Sequence, residues 1–352
     1  MRGPGPTNVD FSIGKQFNVR ERQYVEFRAE FFNRFNQVNL ANPISDLNAV
    51  AVPGGSSNAA TGQITNPGSF GLIISAISNA RLIQLGLKKV PLLMPTARIN
   101  DVELYYETAG EGSTVLLIHG LGSSVLDWEF QVGEMARSHR VIAFDVRGHG
   151  RSSRPPGPYS VAEFAQDAVA LLRHLNAAPA HVVGLSMGGM IAFQMAVDSP
   201  ESVRSLVIAN SGPATILQKA SQRAMVKLRF AVVRLLGMRA LARMIAQPVF
   251  PKPEQQQLRQ TFMNRLAEND PRAYLDALRA IDGWSVAEHI SKIRCPVMVI
   301  ASDQDYTPLE WKRAYAAQIP GAVVAVLRDS RHVAPMDQPE EFNRVVLEFL
   351  AL

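Results

Sequence analysis

Two kinds of periodicity divide the chain. Up to about residue 89 apolar positions alternate with polar ones; from about residue 98 they come in short unbroken runs between longer amphipathic stretches. In QYVEFRAEFFNRFNQVN, Val25, Phe27, Ala29 and Phe31 fall on one face and Glu26, Arg28 and Glu30 on the other. A period of two over this length predicts a strand. ARLIQLGLKK, residues 80–89, alternates in the same way. Residues 41–70, rich in Asn, Gly, Ser and Pro, read as a turn-rich loop.

The later pattern is different. NDVELYYETAG reads as a strand entering a turn, and TVLLIHG (114–120), RVIAFDVRG (140–148), AHVVGLS (180–186), SLVIANS (205–211), PVMVIASD (296–303) and AVVAVLRDS (322–330) are near-continuous apolar runs. Such runs fit strands covered on both faces, as in a parallel sheet. Helical segments separate them at 160–176, 187–199 and 339–352, and Ser160 with Glu163 forms a capping-box pattern where the first should begin. The fold class is therefore α/β. Between SLVIANS and PVMVI lie about 80 residues without strong strand signals, beginning with a long amphipathic stretch at 216–246. The organisation expected is an extension at 1–93, a core at 94–212 and 284–352, and a helical cap at 213–283 that walls a pocket. Leu217, Met225, Leu228, Leu235, Met238, Met244 and Phe250 are candidates to face a substrate or to pack between the cap helices.

Composition narrows the classes. With 352 residues and 47% hydrophobic content the chain can bury a large core, which excludes global disorder. The net charge of +5 comes without a basic–aromatic stripe, so no nucleic-acid partner is expected. The single cysteine, Cys295, rules out an internal disulfide and heads an apolar strand, as a buried inert thiol would. No run of about 18 apolar residues is present, so no transmembrane helix is expected. MRGPGPTNVD lacks the apolar core of a signal peptide, and the expectation is a cytoplasmic protein. No clustered His, Cys and carboxylate set suggests a metal, and no cofactor is implied.

Chemistry concentrates at Gly184-Leu185-Ser186-Met187-Gly188. In a G-x-S-x-G elbow a strand turns sharply into a helix and presents the serine at the tip. The context supports it, with AHVVGL ahead as a strand and MIAFQMAV behind as a helix. A serine hydroxyl needs a base and an orienting acid to act as a nucleophile near neutrality. His332, between the last strand and the last helix, is the candidate base, whereas His289 lies in a polar helical stretch and reads as surface. Asp303 and Asp305 both follow the preceding strand; Asp305, directly before the Tyr-Thr-Pro turn, is preferred as the acid. An oxyanion hole takes two backbone N–H groups, for which Met187 and Leu121 are the candidates. His119 reads as a brace for the glycine-containing loop rather than a proton carrier.

LLIHGLGSS, FDVRGHGRSSRP, VVGLSMGGM, VIASDQDYTP and RHVAPMDQPEEF occur in order and at normal spacing, and by these motifs residues 95–352 resemble an α/β-hydrolase of the esterase and enol-lactonase type. The resemblance implies a triad of Ser186, Asp305 and His332 acting on small-molecule esters through an acyl-enzyme. Lactonase, C–C hydrolase or perhydrolase chemistry, or a non-catalytic binding role, are the alternatives on the same fold. Ser302 and Arg331 stand where the family usually has Gly, and Asp337 where Glu is common. Serine at the elbow disfavours the dehalogenases and epoxide hydrolases of this fold, which use Asp there.

GPGPTNVDFSIGKQF, FRAEFFNRFNQVNLANP and ARLIQLGLKK resemble the C-terminal end of TonB-dependent, Oar-like outer-membrane receptors, over roughly residues 2–89. The terminal aromatic of that family is missing, and Lys88-Lys89-Val90-Pro91 runs on instead. Three strands cannot close a membrane barrel, which needs about eight, and open edges are not tolerated in lipid. No stable membrane insertion is expected, and an edge-pairing role would make this segment a homo-oligomer contact. GLKKVPLLMPTARIND, with Met94 inside it, reads as the joint between two fused parts.

Overall fold

The computed structural model describes residues 11–20, 23–32, 55–58, 63–67, 82–91, 95–215 and 220–351. The chain divides into two compact units, Met1–Met94 and Pro95–Leu352. In the first unit the described strands are β1 (Phe11–Arg20), β2 (Gln23–Phe32), β3 (Gly55–Asn58), β4 (Gln63–Pro67) and β5 (Leu82–Pro91). β1, β2 and β5 form an antiparallel sheet in that order, and β3 pairs with β4. The register aligns Ile13, Ala29 and Leu85 in one row and Phe11, Phe31 and Ile83 in another, as the alternating pattern requires. The β3–β4 pair corrects the expectation of a plain loop over 41–70. Its segments, GSSN and QITNP, hold a single large apolar residue between them, so no alternation marks them in the sequence.

The second unit is built on a mostly parallel sheet of eight strands. β6 (Thr96–Ile99) and β7 (Val102–Ala109) form an antiparallel edge, and β8 (Thr114–Ile118), β9 (Arg140–Phe144), β10 (Ala180–Leu185), β11 (Val203–Ala209), β12 (Val297–Ser302) and β13 (Val323–Leu327) are parallel to one another. The order across the sheet is β13-β12-β11-β10-β8-β9-β7-β6. Every residue of β8, β10 and β12 is buried, the consequence of covering both faces. The helices of the core are α1 (Glu129–Met135), α2 (Val161–His174) and α3 (Met187–Asp198). On one face Leu116, Ile118, Ile142, Phe144, Val182 and Leu206 pack with α2 and α3.

The helical insertion between β11 and β12 comprises α4 (Ala220–Val249), α5 (Gln256–Ala267) and α6 (Pro271–Ile281). The long amphipathic stretch at 216–246 is helical where described, and Gly237, at φ 78° and ψ −179°, breaks α4. Only glycine takes that conformation without strain. The insertion has its own small core of Val233, Met238, Leu241, Leu266, Tyr274, Leu275 and Leu278. After it follow α7 (Leu309–Ala316), the one-turn α8 (Ala334–Asp337) and α9 (Pro339–Leu350). α9 reaches back to the start of α1, where the Trp128 and Phe342 rings lie 6.2 Å apart.

Buried charges lock the loops beside the sheet. Ser160 caps α2, accepting the Glu163 N–H at 3.1 Å, but the reciprocal half of the capping box does not form because the Glu163 carboxylate is taken by Arg147. Arg147, 3% exposed, also holds Asp167 at 2.5 Å and Asp101 at 2.9 Å, tying the β6–β7 turn to α2. Asp145 is buried too, and accepts the N–H groups of Val125 and Arg151, each at 2.7 Å. Burial pushes its pKa up to about 6, against the pull of those two N–H groups. An acid with a raised folded pKa keeps its proton longer in the folded state, so its contribution is full below the unfolded value and lost as pH rises through about 6. The stability advantage of the wild type over Asp145→Asn is therefore expected to shrink by about 2–3 kcal/mol between about pH 4 and pH 7. Urea unfolding of both proteins across that range measures it, and a constant gap contradicts the assignment.

Candidate active site

Ser186 sits where β10 turns into α3. Its backbone, at φ 54° and ψ −117°, is strained for a residue with a side chain. The two flanking glycines make the turn possible. A Cβ at Gly184 would lie 2.2 Å from the Gly188 carbonyl oxygen, and one at Gly188 would lie 2.0 Å from the Ile118 oxygen. The elbow is anchored by the Ser186 N–H on the Ala209 carbonyl at 3.0 Å and by the Ser211 hydroxyl on the Ser186 carbonyl at 2.6 Å. Met187 opens α3, so its N–H is among the helix donors that have no partner within the helix.

The loop after β8 lies against the elbow. A Cβ at Gly120 would sit 3.5 Å from the Ser186 Cβ, and Leu121 follows it. His119 braces this loop: its Nε2 accepts the Val146 N–H at 3.0 Å, and its Nδ1–H donates to the Gly120 carbonyl at 2.8 Å. Burial, and then the neighbouring His149, push its pKa down to about 3, which keeps the ring neutral. The brace expected from the sequence is what the geometry has.

His332 lies between β13 and α8, and its Nδ1–H donates to Asp305 Oδ1 at 2.8 Å. Asp305 has no exposed side-chain surface. Its Oδ1 also accepts the Tyr306 N–H at 2.9 Å, and its Oδ2 accepts the Thr307 hydroxyl and Lys312 Nζ, the latter at 2.6 Å. Burial pushes the Asp305 pKa up, but His332 and Lys312 outweigh it and hold the carboxyl well below the usual carboxylate range. Burial lowers the Lys312 pKa, opposed by Asp305. Asp303 has a different task, accepting the Ser330 N–H at 3.2 Å. Arg331 turns away from the imidazole, its Nη1 on the Pro248 carbonyl at 3.3 Å and its N–H on Asp337 at 2.7 Å. His289 is exposed.

Three residues of this arrangement escaped the sequence reading. Lys312 carries no signal beyond being one more cation on a helix, yet it is wholly buried behind Asp305. Asn210 accepts from Lys312 at 3.0 Å and from the Ser302 N–H at 2.9 Å, and donates to the carbonyls of Arg331 and His332, each at 3.0 Å. It thus ties the ends of β11 and β12 to the His332 loop. Tyr306 is the third. Its hydroxyl lies 2.8 Å from His332 Nε2 and its ring centroid 4.2 Å from the imidazole. Desolvation around the hydroxyl, and then the Asp305 charge, push this phenol pKa above its ordinary value, although 64% of the residue is exposed.

The insertion touches the site through the same loop. Asn269 Nδ2 donates to the Gly122 carbonyl at 2.7 Å, and Leu121 packs against both the main core and that of the insertion. Of the pocket candidates, Met238 packs in the insertion core, with Met244 against it, and Phe250 is buried beside Phe262. Met225 and Leu228 are about half exposed and Leu235 is 80% exposed, while Leu217 lies outside the described residues. A cleft of about 470 Å³ lined by Val233, Arg234, Pro271, Arg272, Leu275 and Arg279 shares no residue with the Ser186 site. Among the described residues no cluster of three His, Cys, Asp or Glu side chains could hold a metal, and no helix is long and apolar enough to cross a membrane.

A mostly parallel eight-stranded sheet with a serine on a strained strand–helix turn, and helices inserted between β11 and β12, is the architecture of the α/β hydrolases. The chain belongs to the alpha/beta hydrolase family, which it matches over residues 115–345. Residues 1–84 match an outer membrane beta barrel domain. Among its relatives is a putative carbamate hydrolase RutD from Azorhizobium caulinodans, 31% identical over 73% of this chain and 98% of that protein. 3-oxoadipate enol-lactonase 2 from Acinetobacter baylyi is 29% identical over 71% of this chain and 94% of its own length. The enol-lactonase structure from Burkholderia xenovorans superposes with a TM-score of 0.69 at 26% identity, over 73% of this chain and all of that one.

Proposed function

We propose that residues 95–352 form a serine hydrolase that cleaves carboxylic esters through an acyl-enzyme, with Ser186 as nucleophile, His332 as base and Asp305 as orienting acid. The observation that carries this reading is the pairing of His332 Nδ1 with a buried, Lys312-backed Asp305, in a unit whose Ser186 is held on a strained turn. That pairing fixes the imidazole tautomer with Nε2 unprotonated, an acceptor that the Tyr306 hydroxyl occupies and must yield to the serine proton. Ser186 Oγ attacks the carbonyl carbon as its proton passes to Nε2. The Met187 and Leu121 N–H groups receive the developing oxyanion, and the start of α3 favours the charge. His332 then returns the proton to the leaving alcohol, and water, activated by the same imidazole, frees the acid.

Helices α4 to α6 act as the cap over the acyl chain in this scheme. A ring-closed ester fits the same chemistry, and the enol-lactonase relatives give the lactone reading a specific basis. Hydrolysis of p-nitrophenyl esters of graded acyl length, with a simple lactone and an alkyl carbamate alongside, tests the proposal. Turnover of the esters that disappears in Ser186→Ala is expected. Binding without turnover of any of the three classes would leave a hydrolase fold used only to bind.

A further inference from the structure

The Tyr306 hydroxyl stands in a particular place. His332 donates through Nδ1–H to Asp305, so Nε2 is an acceptor and the phenol donates to it at 2.8 Å. The hydroxyl oxygen keeps its lone pairs for a second donor. An oxygen within hydrogen-bond reach of Nε2 is where a protonated leaving group stands once the acyl group has moved to Oγ. The ring fits as well as the hydroxyl: it lies 4.2 Å from the imidazole centroid at an interplanar angle of 32°. The residue is 64% exposed and sits in the loop between β12 and α7.

From this geometry we infer that Tyr306 is a resident stand-in for the leaving group, and that the space it fills is a subsite for phenols, making esters of phenols the favoured substrates. The inference rests on the assignment of Ser186 and His332 made above. Tyr306 swings outward as an aryl ester enters, and the substrate's ring takes over the stack on His332. The bond from Ser186 Oγ to the acyl carbon then forms and the bond from that carbon to the aryl oxygen breaks. The proton taken by Nε2 passes to the aryl oxygen, leaving a neutral phenol where the Tyr306 hydroxyl had been.

The test uses the full chain and the rate at which a fluorophosphonate labels Ser186, in wild type, Tyr306→Phe and Tyr306→Ala, with p-cresol and 4-methylcyclohexanol as probes. Both variants are expected to label about tenfold faster than wild type, the equivalent of one hydrogen bond released. In Tyr306→Ala, p-cresol should restore slow labelling at a concentration where 4-methylcyclohexanol does nothing. It should not protect Tyr306→Phe, whose ring still fills the subsite. Slower or unchanged labelling in the variants, or equal protection by the two alcohols, overturns the subsite while leaving the hydrolase assignment standing. No labelling of any of the three proteins overturns both.

Discussion

Replacing Ser186 by alanine is expected to cut ester turnover by about 10⁴- to 10⁶-fold, the loss found when a serine nucleophile is removed from a working triad. The substitution removes one oxygen and nothing that holds the elbow together. The Ser186 N–H bond to Ala209 and the Ser211 bond to the Ser186 carbonyl involve only its backbone, and an alanine bears the same positive φ with the same strain. The urea midpoint should therefore stay close to wild type, and any residual rate is expected from the proposed oxyanion donors, Met187 and Leu121, and from simple binding. A fall of less than about tenfold would place the nucleophile elsewhere.

Lys312→Met is expected to cost about 3–5 kcal/mol of stability, the range for breaking a buried ion pair by removing one partner. Lys312 is fully buried, and two acceptors depend on it: Asp305 Oδ2 at 2.6 Å and Asn210 Oδ1 at 3.0 Å. The methionine fills the space but leaves a carboxylate with only His332, Thr307 and a backbone N–H against it. The pH dependence gives the sign. Asp305 has a folded pKa below its unfolded value, so its contribution is present above about 3.9 and is lost as pH falls through the folded value. Without Lys312 that depression is smaller. The gap between wild type and Lys312→Met should narrow as pH falls below about 4, as urea unfolding at several pH values would show. A small cost that does not change with pH would mean that the lysine is only packed there.

Much of this architecture could be read from the sequence, for reasons that differ from place to place. The apolar runs marked β8 to β12 because a strand covered on both faces has no polar side to hide the signal, and β13 carries a similar run although it is a partly exposed edge. The elbow was legible because two glycines, a strand and a helix coincide at Ser186, and steric exclusion leaves few other uses for that combination. His332 and Asp305 followed from chain order and from their places after strands. What escaped was chemistry that depends on three-dimensional company. Lys312 looks like any other helix lysine until α7 is seen to carry it under Asp305. Asn210 is one more polar residue after a strand, although four partners converge on it. Nothing in DQDYTP tells that the tyrosine folds back onto the imidazole. Gly237 is one glycine in a periodic stretch, a weak break by itself, and only its φ of 78° turns it into a boundary.

The close approach at the elbow has a consequence for how mutations would be tolerated in cells. A Cβ added at Gly184 or Gly188 would meet backbone at 2.2 or 2.0 Å, so any side chain there forces β8, β10 and α3 apart. Such variants would vanish from a selection for protein abundance as well as from one for activity. Ser186 is the opposite case. Its conformation costs of order 1–3 kcal/mol that glycine would largely avoid. In an abundance-ranked library Ser186→Gly should stand at or above the parent while scoring as dead in an activity screen. Three neighbouring positions, equally intolerant in function, would thus separate cleanly into those that hold the scaffold and the one the scaffold carries as a burden.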